Sequence, residues 1–150
     1  MQKIDYIIID KRMRDFPLVP STKGSAAIDL RACIDIKQRI YPSGDMVFGT
    51  GIAIHIKDPG LVGLVVPRSG LGIKHGIVLK NLIGVIDSDY QGEIKVCLYN
   101  NSPYAFEVNP MDRIAQLLIV PLVVPRYNLV EEFSESTERG NNGFGSTGSN

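Results

Sequence analysis

A two-residue period, repeated along the chain, constrains this sequence more than any other feature. In "IDLRACIDI" the residues Ile28, Leu30, Ala32, Ile34 and Ile36 share one face, and Asp29, Arg31, Cys33 and Asp35 share the other, as in a half-buried strand. The same period returns in "GIAIHIK", with Ile52, Ile54 and Ile56 inward, and in "EIKVCLYN", with Ile94, Val96 and Leu98 inward. Turn-forming clusters at "YPSGD", "KDPG", "NNSP" and "NPMD" separate the runs. No segment holds a helical 3.6-residue period beyond a turn or two, and "DRIAQLL" is the one candidate for a short helix. Short strands punctuated by Gly and Pro predict an all-β sandwich, jelly roll or barrel.

A length of 150 residues suits one domain. The composition shifts after about Glu131, where "EEFSESTERGNNGFGSTGSN" holds two aromatic residues and no aliphatic one. Such a segment buries too little apolar area to offset its ordering entropy, which predicts a core over 1–130 and a mobile C-terminal arm over 131–150. Lys plus Arg and Asp plus Glu both total 16, so no basic excess exists to grip a long nucleic acid, although a few arginines suffice for a small anion. Cys33 and Cys97 form no C-x-x-C, and His55 and His75 are too isolated to complete a zinc site. The N-terminal "MQKIDYIIID" lacks the apolar region of a signal peptide, and "LLIVPLVVP" is too short and too proline-rich to span a membrane. The expectation is a reduced, cytoplasmic protein, without nucleic-acid or membrane partners.

Four stretches have the residue types for chemistry. In "PRSGLG", Pro67 closes the strand "LVGLVV"; Gly70 and Gly72 allow close backbone approach to an anion, and the planar fork of Arg68 matches phosphate oxygens. The alternative there is a polar turn with a solvated arginine. "NLIGVIDSDYQGEIKV" reads as two apolar strands around the turn "SDYQG", a β-hairpin with Asp87 at the strand end and Tyr90 at the tip. A carboxylate ionised at pH 7 can take a proton from water beside a held substrate; equally, Asp87 and Asp89 suit ordinary turn positions that bond to backbone amides. "RIAQLLIVP" sets Arg113 and Gln116 in an apolar strand, where they require a ligand, another subunit or a hydrogen-bond network. The tail "RGNNGFGSTGSN" has G-x-G-x-x-G spacing, but only Ser149 and Asn150 follow it, so it lacks the helix that receives a pyrophosphate in dinucleotide folds.

In this order, "SAAIDLRA", "PRSGLG", "NLIGVIDSDYQGEI", "RIAQLLI" and "RGNNGFGSTG" resemble the five motifs of the trimeric dUTP diphosphatases. The resemblance runs from near residue 4 to near residue 148 and implies a distorted jelly roll, a homotrimer with shared active sites, and Mg2+-dependent cleavage of dUTP to dUMP and pyrophosphate. That activity limits uracil incorporation into DNA and supplies dUMP for thymidylate synthesis. It implies that Asp87 is the general base for water attacking the α-phosphorus, and that Asp29 supports the metal indirectly, through water. Uracil recognition would fall to Asn81, Gly84, Val85, Ile86 and, through its backbone, Lys95, with Tyr90 against the deoxyribose. Arg68, Ser69, Gly70 and Gln116 would surround the phosphates, with Arg113 supporting the site. From the tail, Phe144 would stack on uracil while Arg139, Gly145, Ser146 and Thr147 reach the phosphates.

The first motif departs from the family pattern at Ala27, where a glycine is usual, and the resemblance assigns no role to "KRMRDFPLVPSTKG". The related dCTP deaminases are a rival, but their deaminating glutamate aligns with Cys97, which cannot replace a carboxylate. A nucleotide-binding protein without turnover is the other rival; Asp87 and Arg139 weigh against it, because a binder has no need of a base.

Overall fold

The computed structural model describes residues 3–141. Among them are strands β1 (Asp5–Ile8), β2 (Ile28–Arg31), β3 (Gln38–Ile40), β4 (Asp45–His55), β5 (Leu61–Val66), β6 (Ile77–Leu79), β7 (Gly84–Ile86), β8 (Glu93–Asn100), β9 (Phe106–Val108) and β10 (Arg113–Pro121). A 3-10 turn covers Lys11–Asp15 and a helix, α1, covers Ser69–His75. The strands pair antiparallel in two four-stranded sheets, ordered β1-β4-β8-β6 and β2-β10-β5-β7, with β3-β9 as a separate pair. This is a distorted all-β jelly roll. Leu30, Phe48, Ile52, Val65, Ile94, Val96, Leu98 and Ile114 are among the side chains buried between the layers.

The run at 28–36 is strand only as far as Arg31. The Ala32 amide then donates to the Asp112 carbonyl and the Cys33 amide to the Gly49 carbonyl in β4, so the backbone crosses between sheets and the period breaks. Leu30 and Ala32 are buried as expected, but Ile36 is 70% exposed. "DRIAQLL" is no helix. It enters β10, which is paired on both sides by β2 and β5 and buries Ile114, Ala115 and Leu117. The helix lies instead at "SGLGIKH", closed by Gly76 in the left-handed region (φ 65°), whose amide donates to the Gly72 and Leu71 carbonyls. No residue of α1 is buried, so it offered no apolar stripe to read.

The expected hairpin is also corrected. β7 pairs with β5 in one sheet, whereas β8 pairs with β4 and β6 in the other. The connection at 87–92 therefore crosses the sandwich. It is fastened by the Tyr90 amide donating to the Asp87 carbonyl (3.2 Å) and the Lys57 amide donating to the Ser88 carbonyl (2.9 Å). On the outer side of the second sheet, Val62, Leu64, Val85, Leu118 and Val120 stand in cross-strand register, only partly covered.

Candidate active site

The first cleft grows from the register of β2, β10 and β5. Gln116 lies opposite Asp29 on one side and Val66 on the other, so Arg68 emerges from the end of β5 beside the Asp29 carboxylate. Arg68 Nε lies 3.0 Å from Asp29 Oδ1, and Arg113 Nη1 lies 3.3 Å from Asp29 Oδ2. Arg68 Nη1 also donates to the Arg113 carbonyl (3.1 Å), and Gln116 Nε2 donates to the Pro67 carbonyl (3.0 Å). The result is a cleft of about 460 Å³ lined by Ser21, Ser25, Ala26, Ala27, Asp29, Val66, Arg68, Ser69, Gly70, Arg113, Gln116 and Leu118. Two guanidinium groups against one carboxylate leave an excess positive charge, and planar guanidinium forks suit phosphate oxygens. Ser69 and Gly70 open helix α1, where the first amides have no acceptor within the helix.

The second cleft, about 310 Å³, is lined by Asn81, Gly84, Val85, Ile86, Asp87, Tyr90, Ile94 and Lys95. It draws on both sheets, through β7 and β8. Its floor is a tight bend: Leu82 is left-handed (φ 64°), the Ile83 amide donates to the Asn81 carbonyl (2.7 Å), and Asn81 Nδ2 donates to the Ile83 carbonyl (3.1 Å). The Tyr90 hydroxyl donates to the Glu93 carbonyl (3.0 Å), which lays the ring over Gly92. A Cβ at Gly92 would fall 2.4 Å from the phenol oxygen, so only glycine permits this pose. The Asp87 carboxylate and the Lys95 ammonium have no hydrogen-bond or ion-pair partner among the described residues. Neither thiol offers a rival nucleophile: burial pushes Cys33 up to about 11 and also raises Cys97, which lies beside Asp45.

The family model for dUTPase matches residues 17–148. The chain belongs to the dUTPase family. It is 53% identical over 146 residues to the deoxyuridine 5'-triphosphate nucleotidohydrolase of Burkholderia cenocepacia (strain HI2424), covering 97% of this chain and 98% of that protein. The same figures hold for the enzyme of that name from Burkholderia pseudomallei (strain 668). Among solved structures, the Staphylococcus bacteriophage 80alpha dUTPase with dUPNHPP superposes with a TM-score of 0.87 at 26% identity, covering 99% of both chains. The dUTPase from phage phi11 of S. aureus shares the fold at 23% identity, with a TM-score of 0.78 over 88% of this chain and 98% of that one.

Within this dUTPase-family chain, the first cleft gathers Asp29, Arg68, Ser69, Gly70, Arg113 and Gln116, and the second gathers Asn81, Gly84, Val85, Ile86, Asp87, Tyr90 and Lys95. No residue lines both. Arg139 is exposed and lines neither, while Phe144, Gly145, Ser146 and Thr147 lie outside the described residues. Sequence reasoning missed Ser21, Ser25 and Ala26 as walls of the first cleft. The only available signal was a string of small polar residues, "STKGSA", directly before a strand that carries an aspartate.

No group of three His, Cys, Asp or Glu side chains that could hold a metal ion occurs among the described residues. Asp29 is the only carboxylate among the described residues that line the first cleft, and arginines engage both its oxygens. Such a donor set builds no protein cage. It fits a hard cation that takes most of its ligands from phosphate oxygens and water.

Proposed function

We propose that the protein hydrolyses dUTP to dUMP and pyrophosphate. The observation that carries this reading is Asp87, a carboxylate without a partner among the described residues, set beside Tyr90 and the backbone of β7 in a dUTPase-family chain. Asp87 accepts a proton from a water molecule whose oxygen bonds to the α-phosphorus, while the bond from that phosphorus to the bridging oxygen breaks in line and pyrophosphate leaves. Phosphoryl chemistry of this kind depends mostly on positioning and charge stabilisation, which fits a site richer in arginine and amide groups than in acids and bases.

Asn81, Gly84, Val85, Ile86 and the backbone of Lys95 would read the uracil edge, and Tyr90 would face the sugar where a 2′-hydroxyl needs room. A steric wall rejects added bulk more strongly than an apolar pocket does. Arg68, Ser69, Gly70 and Gln116 would hold the triphosphate, and Arg113 would act through Asp29. Asp29 would reach the water shell of a Mg2+ ion bound to the triphosphate, and such an ion would supply positive charge to offset the phosphates.

Two clefts without a shared residue suit an assembly in which neighbouring subunits complete each site. The partly covered apolar face of Val62, Leu64, Val85, Leu118 and Val120 suits subunit contact in a homotrimer. The core over 1–130 would then receive the arm over 131–150, with Arg139 and Gly145, Ser146 and Thr147 on the phosphates and Phe144 on the base. Limiting uracil in DNA and supplying dUMP for thymidylate synthesis is the corresponding role, in the cytoplasm. No described helix is long and apolar enough to cross a membrane.

The test is pyrophosphate release from dUTP with Mg2+, set beside dCTP, dTTP and UTP, for wild type and Asp87→Asn. Selective release from dUTP that collapses in the variant supports the reading. Binding of dUTP without release would overturn it, and ammonia release from dCTP would support a deaminase. Removal of residues 139–150 should leave a folded core with little turnover, and full activity in that truncation would overturn the arm's role.

A further inference from the structure

The segment that the family motifs leave unassigned forms a wall beside the phosphate cleft. A smaller cleft of about 220 Å³ shares Ser21, Asp29 and Arg113 with the phosphate cleft and is closed on its other side by Phe16, Val19 and Arg31. Phe16 is packed against the core. The 3-10 turn before it is anchored by buried Met13, by the Asp10 cap and by Arg12 Nη1 donating to the Ile34 carbonyl (2.6 Å).

Arg31 stands opposite Arg113 across β2 and β10, so two like charges face each other on neighbouring strands. Asp15 and Asp29 are the carboxylates that line this smaller cleft; Asp15 makes no ion pair among the described residues, and Arg68 and Arg113 already occupy the two oxygens of Asp29. Arg31 is satisfied differently. Its Cζ lies 4.2 Å from the centroid of the Phe16 ring, and its Nη1 donates to the Met111 carbonyl (2.8 Å). Met111 is a left-handed residue (φ 64°), its amide donates to the Ala32 carbonyl (2.8 Å), and two residues later β10 begins with a register slip between Arg113 and Ala115.

We propose that Phe16 and Arg31 are positioning residues for the triphosphate half of the site. The Phe16 ring holds the Arg31 guanidinium away from Asp29, and Arg31 in turn fixes the Met111 bend that sets where Arg113 enters β10. Asp29 is thereby reserved for Arg68 and Arg113, whose donors face the phosphate cleft. The inference rests on the functional reading above and deepens it.

The full-length protein carrying Phe16→Leu, Phe16→Tyr or Arg31→Lys tests this through kcat and KM for dUTP, with calorimetric binding of inorganic pyrophosphate and of dUMP. Losing a stacked cation should raise KM and weaken pyrophosphate binding by about 3- to 10-fold in Phe16→Leu and Arg31→Lys. dUMP affinity should stay within about twofold, and Phe16→Tyr should restore wild-type values because the ring face is kept. Equal weakening of dUMP and pyrophosphate, or a lower melting temperature with both affinities intact, would overturn the proposal. Wild type that releases no pyrophosphate from dUTP would count against the functional reading alone, since pyrophosphate binding still judges the pair.

Discussion

In the first cleft, charged side chains are bound to one another: Asp29 bridges Arg68 and Arg113, and Arg68 also holds the backbone at Arg113. In the second cleft, Asp87 and Lys95 have no partner among the described residues, and the polar side chains that are fixed, Asn81 and Tyr90, donate to the backbone carbonyls of Ile83 and Glu93. A set of donors that must receive a highly charged ligand works best when already organised, because little reorganisation is then needed on binding. A base, the role proposed for Asp87, must keep its lone pairs available, because any resident partner would compete with the water to be deprotonated.

The largest test of this contrast is Asp87→Asn, which should reduce kcat by about 10²–10⁴ while dUMP binding is retained, as measured by steady-state kinetics and calorimetry. Asp29→Ala should act the other way round, on binding more than on chemistry. It leaves two adjacent guanidinium groups without their shared partner, and KM for dUTP should rise by roughly 10- to 30-fold, a half-exposed version of breaking a buried pair. Should Asp29→Ala lower kcat alone, the division of labour between the clefts would be wrong. Gly92→Ala drives a methyl group into the Tyr90 ring, and the preference for dUTP over UTP should fall by about tenfold in competition assays, with the core intact.

The smallest effect is expected at a residue that lines neither cleft. Hydrogen bonds from Arg12 hold the Asp10 carboxyl down at about 2, below its unfolded value. A depressed carboxyl contributes stability above its unfolded pKa and loses it as the pH falls through the folded one. Asp10→Asn should therefore lower the melting temperature slightly at pH 7. The gap from wild type should close between about pH 4 and pH 2.

Where one face of a strand is buried, the sequence was readable: Ile94, Val96 and Leu98 alternate inward in β8 as the period requires. The same period could not reveal which sheet a strand joins. β7 and β8 look like a hairpin because short apolar runs flank a turn, yet pairing is decided by partners distant in sequence, β5 for one and β4 for the other. Helix α1 was hidden because it has no fully buried residue and packs on the core mainly through Leu71, and the false helix at "DRIAQLL" arose because β10 is covered along both edges and carries two polar side chains among its apolar ones. Of the two clefts, Arg68, Asp87, Tyr90, Arg113 and Gln116 stood out by residue type and place in the pattern, whereas Asn81, Gly84, Val85, Ile86 and Lys95 were named only through the family resemblance. Ser21, Ser25 and the Phe16–Arg31 contact were not visible, since a loop that packs against a cleft has no periodic pattern to betray it.

Because the 87–92 connection crosses from one sheet to the other, the second cleft takes its walls from both layers of the sandwich. Any ligand held by β7 and β8 together acts as a cross-brace, so the breathing of the sandwich and the residence of the nucleotide become one mechanical property. Amide exchange in β7 and β8 should slow together when dUMP is bound, including at positions that never touch it.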